Sequence, residues 1–165
     1  MPGSLATAAA ALQAAQSSLR QWRVHVQAMN QLVAGDISVS QATTFWNQTR
    51  QGAMHNIMRF EHDRSRYETN APACGSSDVD SAEVQAAPSD RDCIRAAMAG
   101  DRVLSAAGTA ITTWKHHVHH MEMLRDGQMT AGQAAQMWPM SWRAGQRELV
   151  DYSRASMQTL YLRCS

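Results

Sequence analysis

The chain has 165 residues, enough to bury a core without disulfides or a structural metal, so a metal site here would serve function rather than folding. Its net charge of +1, from fourteen Arg, a single Lys (Lys115) and fourteen scattered acidic residues, lacks the concentrated basic face of a nucleic-acid binder. No stretch approaches the roughly 20 apolar residues of a membrane span, and the outlying counts are eleven Met and seven His against two Phe and three Tyr.

The first predicted element is a helix in which Leu12, Leu19, Trp22, Val26, Met29 and Val33 recur mostly at three- and four-residue spacing and bury one face. Gly35-Asp36 stops it. Ser38 or Ser40 can cap a second helix, whose inward stripe runs Ala42, Trp46, Thr49, Ala53, Ile57 and Phe60 toward Tyr67. Residues 70–90 are rich in Pro, Gly, Ser, Asp and Ala without an apolar period, and read as a linker. A third helix is expected from about Asp90 to Arg125, then a turn at Asp126-Gly127-Gln128, a cap at Thr130 and a fourth helix to about Leu162, bent at Pro139.

At an offset of 92 residues, Trp22, His25, Val26, Met29, Leu32 and Gly35 fall on Trp114, His117, Val118, Met121, Leu124 and Gly127. Gln41, Ala42 and Trp46 likewise fall on Gln133, Ala134 and Trp138, after which the register slips by one, so that Arg50 and Gly52 meet Arg143 and Gly145. Trp, His and Met are scarce residue types, so their joint coincidence indicates a duplication. The expected fold is all-α: an antiparallel up-and-down four-helix bundle made of two duplicated helical hairpins, residues 5–69 and 91–163, in one compact domain over 5–163. A swapped dimer of hairpins is the alternative. Trp46 and Trp138, matched on the second and fourth helices, are expected to be largely buried.

Within each copy Trp, His and Met are three and four residues apart and share one side of a helix. Helices one and three run the same way in such a bundle, so His25, Met29, His117 and Met121 can converge on one metal, with Trp22 and Trp114 one turn away as a shield. Imidazole with thioether suits copper, Cu(I) above all with Cu(II) tolerated, because thioether sulfur is soft. In a single copy, a His and a Met in an apolar stripe are more often packing; their retention in both copies brings the two readings level. His116 and His120, one turn apart, form an accessory candidate, as do His55, Met58 and His62 with Met54 alongside. The second copy has no imidazole or thioether at positions matching the latter group.

No Glu is followed three residues later by His, against a carboxylate-bridged di-iron bundle. Haem attachment, P-loop, nucleophile-elbow and dinucleotide motifs are lacking too. Cys74, Cys93 and Cys164 fall at the bundle end opposite the Gly turns. A Cys74–Cys93 disulfide tethering the linker is favoured, contributing roughly 3 kcal/mol through chain entropy, with Cys93–Cys164 the alternative. A disulfide implies an oxidising compartment, and the Ala-rich opening after Met1-Pro2-Gly3-Ser4 reads as following a removed signal peptide. The expectation is a periplasmic or secreted bacterial protein, monomer or dimer. It would store, buffer or transfer copper without turnover, exchanging the ion with a copper-delivering or copper-receiving protein. The rival is a helical interaction module with incidental histidines; a copper-dependent redox enzyme is a weaker third.

Overall fold

The structure, a computed structural model, describes residues 2–70 and 88–159. Among them it is all-α, with helices α1 Pro2–Ala34, α2 Val39–Arg50, α3 Ala53–Asn70, α4 Pro88–Arg125 and α5 Ala131–Thr159. The linker expected over 70–90 lies outside the described residues for 71–87, as do Cys74 and Cys164, and with them the disulfide alternatives. None of the described helices is long and apolar enough to cross a membrane.

The matched turns are built alike. Gly35 (φ 81°) and Gly127 (φ 73°) take the left-handed conformation that ends a helix, where a Cβ would be strained. Asp36 N–H donates to Gln31 O and Gly35 N–H to Leu32 O, satisfying the last carbonyls of α1. Gln128 N–H to Met123 O and Gly127 N–H to Leu124 O repeat the pattern after α4. Each following helix then opens on a capping box. The Ser38 hydroxyl accepts from Gln41 N–H while Gln41 Oε1 accepts from Ser38 N–H, and Thr130 with Gln133 makes the same exchange.

One expectation fails between α2 and α3. The second helix, read from sequence as continuous toward Tyr67, breaks at Gln51 (ψ 124°) and Gly52 (φ 70°). Its stripe survives the break, because Ala42, Thr49, Ala53, Ile57, Phe60 and Tyr67 are all buried. In the second half Pro139 stays inside the unbroken α5.

The core is drawn mainly from α1, α3 and α4. Ala11, Ala14, Leu19 and Trp22 of α1 share one buried cluster with Ile57 and Phe60 of α3 and Ala107, Ile111 and Trp114 of α4. α1 packs extensively on α3, as α4 does on α5, and α1 also packs on α4. α2 leans on α1 and touches α3 without extensive contact with α4 or α5. That leaves a hollow beside α2.

Candidate metal centre

The hollow is a cavity of about 460 Å³ lined by both members of the repeated set: Trp22, His25 and Met29 from α1, and His117 and Met121 from α4. His25 and His117 are 5% and 4% exposed, at the closed end. Met29 and Met121 are half-buried. Trp46 and Trp138 stand on opposite walls, half-buried and not fully in the core as their stripe positions suggest. The physical reason lies in α2: packed mainly on α1, it leaves Trp46 with one face on the His25 ring, at 5.8 Å between centroids, and the rest toward the cavity.

The two imidazoles meet directly. Nε2 of His25 lies 3.0 Å from Nε2 of His117, with ring planes at 75°. On the far side of His25, Nδ1 is 3.0 Å from the Thr49 hydroxyl oxygen. That hydroxyl reaches the carbonyls of Phe45 (2.9 Å) and Trp46 (3.1 Å) in its own helix. Its single hydrogen is therefore directed to the backbone, so it accepts from His25 Nδ1–H. The His25 Nε2 lone pair is left facing His117, and the one proton between the two Nε2 atoms comes from His117. His117 Nδ1 is buried and has no hydrogen-bond partner among the described residues.

Both rings are neutral at pH 7. Burial, followed by the proximity of His117, holds the His25 pKa well below 6.5. Burial, followed by the proximity of His120, lowers His117 to about 4. Competition from protons thus sits below the range that an unperturbed imidazole would give.

Trp22 and Trp114 are fully buried and stacked on each other, with ring centroids 4.8 Å apart and planes at 22°. Each lies against the imidazole of the opposite half, Trp22 at 5.4 Å from His117 and Trp114 at 5.1 Å from His25. They form the floor beneath the histidines. Among the described residues, the buried indole nitrogens of Trp22, Trp46, Trp114 and Trp138 have no hydrogen-bond partners.

The donor set offers two imidazole nitrogens and two thioethers, all neutral. Two nitrogens bound at about 2.0–2.1 Å with a tetrahedral angle sit about 3.3 Å apart, whereas a linear pair needs about 4 Å. At 3.0 Å the histidines suit a bent arrangement with further ligands, and the methionines of the same cavity are the donors at hand. Thr49 stands where an outer hydrogen bond would hold a ligating imidazole in register; among the described residues His117 Nδ1 has no such partner.

The other sequence-predicted groups are not drawn into this centre. His116 is exposed, and His120, half-buried, pairs its ring with His119 at 6.3 Å. His55, Met58 and His62 are exposed on α3, and His62 Nδ1 is 3.1 Å from Asp63 Oδ1. Among the described residues no three His, Cys, Asp or Glu side chains group as metal ligands. Sequence reasoning missed Thr49 as a partner of His25, and missed Thr43, Asn47 and Arg50 beside the cavity. Spacing carried the signal for the last three, since with Trp46 they share one face of α2.

No family model matches the chain, and neither the curated proteins nor the solved structures yield a match.

Proposed function

We propose that the chain binds one copper ion, Cu(I) in preference to Cu(II), through His25, Met29, His117 and Met121, and that it stores, buffers or passes on that ion without turnover. The observation that carries this reading is the meeting of the His25 and His117 Nε2 atoms at 3.0 Å in a cavity that both repeated methionines also line. Soft sulfur selects a soft ion. Charge argues the same way: four neutral ligands leave the ion's full charge in an apolar cavity, and the solvation cost of burying charge rises with its square. A monovalent ion is therefore retained more readily than a divalent one.

The reading takes the halves as repeats of one helical hairpin assembled as an antiparallel four-helix bundle, each contributing one His and one Met. It also takes the protein as acting in the periplasm or outside the cell, where copper is exchanged with delivering or receiving partners and where a cysteine pair would be oxidised. X-ray absorption of protein loaded with one equivalent of Cu(I) tests the ligand set. Mixed nitrogen and sulfur scatterers support it; a first shell lacking sulfur, or no bound copper, overturns it and leaves the helical interaction module as the better reading.

A further inference from the structure

The cavity is far larger than an ion requires. A few cubic ångströms hold a metal, whereas about 460 Å³ is the volume of a small-molecule pocket, for which roughly 300–1,000 Å³ is usual. Its lining is mostly apolar and aromatic. The two walls above the histidines also differ. On the α2 side stand Thr43, Asn47 and Arg50, and on the α5 side Trp138 and Trp142. The matched residues of the second half are Ala135 for Thr43 and Pro139 for Asn47, and Arg143, the match of Arg50, is exposed and does not line the cavity, so this polarity is one-sided.

Each wall is ready for a ligand. Arg50 makes no salt bridge among the described residues, although the carboxylate of Asp126 feels its charge. The facing cation, Arg125, is held by Asp126 at 2.8 and 3.1 Å, so the unengaged guanidinium is that of Arg50. Trp142 is fixed by its indole N–H, which donates to Asn30 Oδ1 at 2.8 Å. The buried indole N–H of Trp138 has no partner among the described residues.

We propose that this cavity binds a small organic acid with a flat apolar body, stacked on the aromatic wall of Trp138 and Trp142 with its carboxylate toward Arg50. The histidines and methionines would hold the ion, and the residues above them would select the organic molecule, Trp142 standing where the first half has Thr49. The site does not rest on the copper reading, since its walls exist without metal. Planar stacking explains the paired tryptophans, and a guanidinium is the cation that matches a carboxylate in two parallel hydrogen bonds.

The test titrates metal-free protein with 1-naphthoate and, separately, with 1-naphthalenemethanol, which has the same rings and no charge, while NMR shift changes locate the bound probe. One saturable site is expected, with shifts concentrated on the indoles of Trp46, Trp138 and Trp142. The alcohol should bind about tenfold more weakly, the worth of one charge-assisted contact. Arg50→Gln should erase that difference, and Trp138→Leu should weaken both probes. Absence of saturable binding, equal affinity for the two probes, or a discrimination unchanged in Arg50→Gln overturns the proposal. Naphthoate binding without copper binding leaves this site standing and removes the copper reading; the converse does the opposite.

Discussion

Thr49 holds His25 from behind: its hydroxyl hydrogen is directed to the backbone of α2, and its oxygen, 3.0 Å from His25 Nδ1, receives the imidazole proton. Thr49→Val keeps the shape and removes the acceptor. Copper affinity should fall about 10- to 100-fold, the usual loss when the outer partner of a ligating His is removed. Thr49→Ser should recover most of it, and competition against a chelator of known affinity measures both. A Thr49→Val protein that binds copper like the parent would show that His25 needs no such support.

The histidine pair also sets a pH dependence on the metal-free fold. An unfolded His takes up a proton near pH 6.5, whereas folded His117 resists until about pH 4 and His25 is held down in the same direction. Between those values the unfolded chain binds more protons, so stability is complete above about 6.5 and falls as pH drops toward 4. His117 alone should account for a loss on the order of 3 kcal/mol. Urea unfolding at pH 7 and pH 4.5 should show this loss in the parent chain and a smaller one in His117→Gln.

Much of this site was legible because the chain states it twice. The three- and four-residue spacing of Trp22, His25 and Met29, and of their partners 92 positions on, placed six side chains on two helix faces; five of them line one cavity in the structure, and the sixth, Trp114, stacks on Trp22 behind it. The caps and Gly turns were equally readable, each being a local rule about one or two residues. The break at Gln51-Gly52 was not readable. Glycine inside an apolar stripe is compatible with a continuous helix, and only the packing around it decides. That break explains the misplacement of Trp46, since a short α2 standing apart from α5 leaves a cavity where a core was expected. Thr49 escaped notice because its place in an apolar stripe does not reveal what lies across from it.

Gly145 and Gly108 offer a test of the packing beneath the site. A Cβ on Gly145 would run into the indole ring of Trp22, which is fully buried and stacked on Trp114. A Cβ on Gly108 would meet only the guanidinium end of Arg64, which can swing away. Gly145→Ala should destabilise the fold by about 1–3 kcal/mol despite the better helix propensity of Ala. Gly108→Ala should change it by less than about 0.5 kcal/mol. Denaturant melts compare the two directly, and equal effects would contradict the packing described for Trp22.

Protons report the state of the pair during binding. Because both imidazoles are already neutral, loading the site with Ag(I), a redox-inert monovalent stand-in, should release almost no protons at pH 6.5. Two ordinary histidines, each half-protonated there, would release about one. A pH-stat titration distinguishes these values.

The central claim is that the imidazoles of the two halves share one copper ion, and competitive Cu(I) titration of the parent chain beside a His25→Ala, His117→Ala variant addresses it most directly. One high-affinity equivalent should bind the parent and vanish in the double variant, while His116→Ala, His120→Ala protein keeps it. A tight equivalent surviving in the His25→Ala, His117→Ala protein would contradict the account and move the site to the histidines exposed on α3 or α4.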